Sequence, residues 1–453
     1  MPVFYHKSLY NRYFLILRII QTPMKPILQV ALDLVNLPRA LTIGKDAVAG
    51  GVDWIEAGTP LIKSEGMEVL RTFREQFPDH IIVADLKTMD TGALETEMAA
   101  KAGADVVCIL GAADDTTIQD AVRSSLKYGV KIMVDLIGVP DVLKRAKQIE
   151  KLGVHYICIH VGIDEQMRGK TPEQFVRKLS SEISLPLAVA GGLNSETVVS
   201  VVNAGASVVI VGGAITKAED VKAATSIIKK AINEKAVIPS DLFKKYDETE
   251  LYNAFSKVST SNISDAMHKK GAMLGIISRT LGLHMVGRAL TVQTIDGDWA
   301  KPVEAIDKAE KGWVLVIDVN GGSTAVWGEL ATWSAKLKDL AGVVVDGAVR
   351  DIEFIRDIDL PVFSRYVVPH AGEPKGYGEI GAQITCGGQT VCTGDWVVGD
   401  DSGVVVVPQQ IAQEIANRSL DVKEQENRIR EEIKQGGTLA DVMKLKKWEK
   451  KIG

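Results

Sequence analysis

Ile81-Ile82-Val83-Ala84-Asp85-Leu86-Lys87-Thr88-Met89-Asp90 is an apolar run that ends in two carboxylates and an ammonium. The first four residues suit a buried strand, and the polar residues follow where such a strand reads out into a loop. Side chains alternate along a strand, so Asp85 and Lys87 share one face, and Asp90 can return to the lysine from the loop. A surface ion pair is the ordinary reading of an isolated Asp-x-Lys. An ammonium held between two anions stays charged and fixed in place, which suits it to stabilising an enediolate or handling a proton.

The surroundings favour the chemical reading. Apolar, β-branched runs recur at Ile27 to Asp33, Trp54 to Gly58, Ile81 to Lys87, Asp105 to Gly111, Lys131 to Gly138, Tyr156 to Gly162, Pro186 to Gly192 and Ser207 to Gly213. Helical stretches of mixed charge lie between them, such as Gly66 to Phe77 and Asp141 to Leu152. Eight strands alternating with helices predict a TIM (β/α)8 barrel, whose chemistry sits at the carboxyl ends of its strands. Those ends carry Asp33, Glu56, Asp85 with Lys87, Asp135 and His160. Converging carboxylates repel one another without a cation, so a divalent metal is implied. Glu56 and Asp85 end neighbouring strands as hard oxygen donors, the kind that favour magnesium. Glu56 taken alone also fits a structural carboxylate bonded to a backbone amide. Gly191-Gly192 and Gly212-Gly213 end the seventh and eighth runs, where bare amides make a cradle for phosphate.

This half, from about Lys25 to Ala231, resembles the orotidine-monophosphate-decarboxylase suprafamily through its Asp-x-Lys-x-x-Asp, and within it the 3-hexulose-6-phosphate synthase branch. Ala31-Leu32-Asp33, Ile55-Glu56-Ala57-Gly58-Thr59-Pro60, His160-Val161-Gly162-Ile163-Asp164-Glu165-Gln166 and Val189-Ala190-Gly191-Gly192 carry the likeness. The resemblance implies that Glu56 and Asp85 hold Mg2+, that Asp33 and Asp135 contact the substrate or metal waters, and that Lys87 stabilises an enediolate. It also implies His160 as proton shuttle and Gly191, Gly192, Gly212 and Gly213 as phosphate binders. The implied reaction is reversible aldol addition of formaldehyde to the sugar phosphate D-ribulose 5-phosphate. The nearest competitor is 3-keto-L-gulonate-6-phosphate decarboxylation, whose branch resembles a sequence with arginine shortly after the strand-six histidine; here that position is Ile163.

Such a barrel needs roughly 200 to 250 residues, so a chain of 453 must carry a second domain. The expected organisation is a disordered extension over 1–23, a barrel over 24–235, a linker over 236–250 and a second domain with a helical tail over 251–453. Strands are expected at Val286 to Gln293, Trp313 to Val319, Gly342 to Asp346, Pro361 to Ser364, Trp396 to Gly399 and Gly403 to Pro408. Gly321 to Ala331 reads as a glycine-rich loop opening a helix, whose free amides can receive a carboxylate. Gly342 to Asp351 places Arg350 and Asp351 at the end of a buried strand, one to clamp a carboxylate, the other to bind a metal through water. A subunit-interface ion pair is the alternative for these two residues.

From about Leu242 to Lys447 the chain resembles the RraA-like family, which joins regulators of ribonuclease E activity to class II 4-hydroxy-4-methyl-2-oxoglutarate aldolases; it implies an α/β sandwich. Catalytic members carry an acidic residue, twenty positions, then Arg-Asp, a frame that Glu329, Arg350 and Asp351 fit. The resemblance implies that Leu330 and Ala331 offer amides to a pyruvate carboxylate, with Arg350 on the same group. The other reading of this half is a protein-binding regulator of RNA turnover, with a ribonuclease protein as partner.

A net charge of -5 supplies no basic stripe for direct nucleic-acid contact. No apolar run reaches the roughly 18 residues of a membrane span, and Tyr13 to Ile20 is interrupted by Arg18. Cys108, Cys158, Cys386 and Cys392 have neither zinc spacing nor the density of a disulfide framework, so a cytoplasmic protein is expected. Both resemblances imply a homo-oligomer.

Overall fold

The structure is a computed structural model and describes residues 25–240, 244–434 and 436–443. The expected N-terminal extension lies outside the described residues. The chain folds as two compact units whose main division falls between residues 244 and 245, with 167–169 grouped in the second. Among the described residues no helix is long and apolar enough to cross a membrane.

In the first unit, β1 (Ile27–Leu32), β2 (Trp54–Ala57), β3 (Ile81–Thr88), β4 (Val106–Leu110), β5 (Lys131–Asp135), β6 (Tyr156–His160), β7 (Leu187–Ala190) and β8 (Val208–Val211) form a closed barrel. All neighbours are parallel, and β1 pairs with β8 to close the ring. All eight expected runs are strands; seven end one to three residues inside the apolar stretches, and β3 runs one residue past its stretch to Thr88. The expected helices are present at Glu68–Gln76 and Val142–Glu150.

Strand alternation divides the barrel into two cores. Leu28, Val30, Leu32, Ile82, Ala84, Val209 and Val211 pack outward against the helices. Ala31, Trp54, Val83, Cys108, Met133, Cys158, Ala188 and Ile210 pack inside. Continuing the inward register by one step reaches Asp33, Glu56, Asp85, Asp135, His160 and Gly212, so the period of two that fills the barrel also assembles its polar end. Cys108 and Cys158 are interior packing residues, as their position in the runs suggests.

The second unit is α/β. It contains β9 (Ile277–Ser278), β10 (Met285–Gln293), β11 (Val314–Asp318), β12 (Ala325–Trp327), β13 (Gly342–Val349), β14 (Val362–Val367), β15 (Glu379–Ile380), β16 (Ile384–Cys386), β17 (Gln389–Val391), β18 (Trp396–Asp400) and β19 (Gly403–Val407). Nine of these, among the described residues, form one mixed sheet in which β10, β11, β13 and β14 are parallel neighbours and β16 pairs with β17 apart from it. Leu315, Ile317, Val343 and Val345 face one core, while Val314, Val316 and Val344 face the other. The expected glycine-rich loop is not continuous: β12 forms within it, and the following helix, Glu329–Leu337, begins after Gly328. β13 runs on past Asp346 through a register shift, which carries Arg350 to its end. The charged tail forms the helix Ala412–Lys434, and its first half buries Ala412, Ile415, Ala416 and Leu420 within its own unit.

Phe73 is fully buried on the helix behind β2 and β3 and meets Phe77 edge-on at 5.8 Å. Phe73→Ala is expected to cost about 3 to 5 kcal/mol of barrel stability, read as an earlier unfolding transition in urea with the transition of the second unit unmoved.

Candidate active site

The site is built on Lys87, whose backbone is left-handed at φ 48° and marks a register shift between Ala84 and Thr88. A lysine in that conformation is strained, and the ion pairs of its side chain hold it there. Lys87 Nζ lies 3.0 Å from Asp85 Oδ2 and 2.9 Å from Asp135 Oδ2. Burial alone would favour the neutral amine, but Asp135 and Asp85 outweigh it and keep the ammonium charged well above its ordinary range. Asp90 is not the second anion: it is exposed, and its Oδ1 accepts the amide of Thr91. The positive φ at Lys87 ends simple alternation and aims the ammonium across the barrel mouth to β5 instead of along the loop.

Asp135 is only 3% exposed, and both of its oxygens are taken. Oδ2 binds Lys87 and His160 Nδ1, the latter at 2.8 Å, while Oδ1 accepts the Ile137 amide at 2.9 Å. Burial raises its pKa, but His160 and Lys87 prevail and hold it down at about 2. Asp135, expected to touch substrate or metal waters, orients its two neighbours through Oδ2 and is tied to the backbone through Oδ1. With Nδ1–H directed at Asp135, His160 keeps Nε2 for proton exchange at the open end.

A second carboxylate group faces this pair. Glu56 is buried, and desolvation, reinforced by Asp85 and Asp33, pushes it well above the usual carboxylate range. Gln29 Nε2 donates to Glu56 Oε2 at 2.5 Å, which offsets part of that shift; Gln29 Oε1 has no hydrogen-bond partner. The Thr59 hydroxyl lies 2.6 Å from Asp85 Oδ2 and 2.9 Å from its carbonyl oxygen. Asp33 has an edge open to water yet is crowded by the rim, and the crowding governs its titration: desolvation first, then Asp85, raises it. A side-chain carbon at Gly58 would sit 2.2 Å from Asp33 Oδ1, so glycine there makes the room that Asp33 occupies.

Three acidic groups thus meet while Lys87 pairs with only one of them. Glu56 and Asp85 offer hard oxygens whose mutual repulsion a dication would relieve, and this donor set fits magnesium. Among the described residues no three acidic, histidine or cysteine side chains form a cage. Magnesium usually takes one or two carboxylates and keeps positions for water and substrate oxygens.

Across the mouth, Gly191 and Gly192 follow β7 with φ of 115° and 67°. A side-chain carbon at Gly191 would meet the Val161 carbonyl at 2.5 Å. Gly212 and Gly213 follow β8 and open the short helix Gly213–Thr216. The expected cradle residues therefore lie together on the rim that holds the charged groups. The sequence reading assigned no role to Gln29 or to Thr59, although Thr59 lies in the stretch Ile55 to Pro60 that carries the resemblance. Gln29 had a signal, being polar in an apolar strand and in register with Asp33.

In the second unit Glu329, Arg350 and Asp351 are brought together. Asp351, at φ 60°, has Oδ2 3.3 Å from Arg350 Nε and 3.3 Å from the Glu329 amide. A side-chain carbon at Gly328 would lie 2.6 Å from Asp351 Oδ2, so the glycine permits the contact. Leu330 and Ala331 occupy the first turn of Glu329–Leu337, where amide groups have no partner within the helix. The arrangement can receive a carboxylate between these amides and Arg350. The Asp351 carboxylate, expected to bind a second divalent metal through water, is engaged at Oδ2 by Arg350 and by the Glu329 amide.

Residues 26–228 match the model of the Orotidine 5'-phosphate decarboxylase / HUMPS family, and residues 260–406 match the RraA-like model, described as Aldolase/RraA. A Bacillus subtilis (strain 168) protein named 3-hexulose-6-phosphate synthase is 42% identical over 206 residues, which is 45% of this chain and 98% of that protein. One of the same name from Mycobacterium gastri is 43% identical over 206 residues, 45% of this chain and 99% of that protein. A crystal structure of 3-hexulose-6-phosphate synthase shares 41% identity, covering 45% of this chain and 99% of that one with a TM-score of 0.44.

Because Glu56 and Asp33 have raised pKa values, the stability they contribute is present below their unfolded-state pKa and is lost as pH rises through the folded values. A bound dication removes that loss. Saturating magnesium should therefore raise the thermal midpoint of the barrel more at mildly alkaline than at mildly acidic pH, and Glu56→Gln should flatten the difference.

Proposed function

The first half of this chain belongs to the Orotidine 5'-phosphate decarboxylase / HUMPS family, and from that premise we propose that its barrel is a 3-hexulose-6-phosphate synthase, an aldehyde-lyase that joins formaldehyde reversibly to D-ribulose 5-phosphate. The observation that carries this reading is the Asp135 bridge, which fixes an ammonium and an imidazole side by side between the carboxylates and the glycine loops. The curated relatives of the same name, matched along almost their whole length, support it.

The phosphate is received by the amides around Gly191, Gly192, Gly212 and Gly213, which sets the carbon end of the sugar towards Lys87 and His160. His160 Nε2 removes a proton from carbon 1 of ribulose 5-phosphate. Lys87 is too firmly protonated to act as the base; its fixed charge stabilises the negative oxygen of the enediolate. Carbon 1 then attacks formaldehyde, a carbon–carbon bond forms, and the aldehyde oxygen takes the proton from His160. The product is D-arabino-hex-3-ulose 6-phosphate, and the same groups run the cleavage in reverse. Glu56 and Asp85 would hold magnesium, which when bound supplies Lewis-acid polarisation of the substrate's ketone and hydroxyl oxygens. Asp135 keeps the imidazole in one tautomer throughout.

For the second unit, the amides of Leu330 and Ala331 beside Arg350 support binding of a small 2-oxo carboxylate, with pyruvate-forming cleavage as the chemistry.

Formaldehyde consumption with ribulose 5-phosphate and magnesium tests the barrel. Lys87→Ala should lower turnover by about 10²- to 10³-fold or more. Turnover of 3-keto-L-gulonate 6-phosphate in place of formaldehyde addition would move the barrel to the decarboxylase branch. For the second unit, Arg350→Ala should abolish pyruvate release from 4-hydroxy-4-methyl-2-oxoglutarate while formaldehyde fixation continues. Loss of binding to a ribonuclease protein with no kinetic effect would instead make this unit a regulator.

A further inference from the structure

Glycine pairs in a phosphate loop allow the backbone to approach an anion, but they leave the loop conformationally loose, and something else must hold it. Part of that support is internal to the loop after β7. Asn194 Oδ1 accepts the amides of Glu196 and Thr197 at 3.0 and 3.1 Å. The rest comes from beyond the barrel proper. The last barrel helix, Val221–Glu234, ends at Lys235 in a left-handed turn, and the chain then runs back over the β7 loop. Ser195 Oγ donates to the Ile238 carbonyl at 2.8 Å, the Ile238 amide donates to the Ser195 carbonyl at 3.4 Å, and Glu196 Oε1 accepts the Ser240 amide at 2.8 Å. Ile238 packs against the outer barrel core, and Ser195 is only 2% exposed.

We propose that the segment 236–240 is a strap that holds the β7 loop in its phosphate-receiving conformation, with Ser195 and Glu196 as positioning residues. The match to the family model ends at residue 228, so the strap belongs to the part of this chain that follows the family barrel. Three hydrogen bonds anchored by a packed isoleucine leave the loop little freedom to lose when phosphate arrives, and ordering that is already done favours binding. The strap makes the start of the connection to the second unit part of the barrel's binding apparatus, so its sequence is constrained by the substrate as well as by reach. The inference rests on the reading of Gly191 and Gly192 as phosphate-binding.

The test uses the full chain with Ser195→Ala, Glu196→Ala, the two combined, and Glu196→Gln, which keeps an acceptor for the Ser240 amide. Two quantities are measured: the KM and kcat for ribulose 5-phosphate, and the affinity for inorganic phosphate by calorimetry. The combined variant should raise KM and weaken phosphate binding in parallel by roughly tenfold, with kcat within about twofold and Glu196→Gln close to wild type. A fall in thermal midpoint with KM and phosphate affinity unchanged would make the strap merely structural and overturn the proposal, as would a wild-type chain that binds no phosphate. A chain that binds phosphate but does not turn over ribulose 5-phosphate would overturn the synthase reading alone, and the phosphate affinities of the variants would still decide the strap.

Discussion

The ammonium of Lys87 between Asp85 and Asp135 is the contact on which the rest of the barrel site depends. Burial pushes the ammonium towards the neutral amine, and the carboxylates that two strands deliver to it more than offset that push. The left-handed backbone at Lys87 is part of the same arrangement. It breaks the β3 ladder at the point where the side chain must turn towards β5, and the ion pairs repay the strain. His160 is tied into this contact through Asp135. A single carboxylate thus determines both where the positive charge sits and which imidazole nitrogen faces the substrate.

Opposite that neutralised pair, Glu56 and Asp33 remain in an acidic environment that folding does not relieve. Burial and the neighbouring carboxylates raise both pKa values, a repulsion that a dication would relieve. Gln29 belongs to this balance. It spends a fully buried amide on Glu56 and leaves its own oxygen without a partner, a cost that packing alone would not explain. The interior below is apolar and close-packed, so the strain stays confined to the layer where chemistry occurs.

The second unit reaches a related solution by other means. Asp351 sits in a left-handed conformation at the end of a buried strand, made accessible by a neighbouring glycine, and joins Arg350 to the first turn of a helix. In both units a residue in a left-handed conformation at a strand end is held by polar contacts, and in both a nearby glycine makes room for a carboxylate.

Much of this was legible beforehand. The eight apolar runs announced the barrel because a strand buried on both faces must be apolar along its whole length. The charged residues after them announced the rim, because an apolar barrel has no other use for a carboxylate at a strand end. The partner of Lys87 was not legible: Asp90 is three residues away and Asp135 forty-eight, and only the closed ring brings β5 opposite the bulge in β3. The bond from Thr59 to Asp85 leaves no local pattern, whereas Gln29 stands out as a polar residue in an apolar strand. Periodicity and composition acted residue by residue along the chain, so the sequence by itself determined the strands, their order and the layer in which the polar groups would gather. Which of those groups pair, and therefore which stay charged, depends on distances between elements far apart in the chain, and that only the tertiary structure decided.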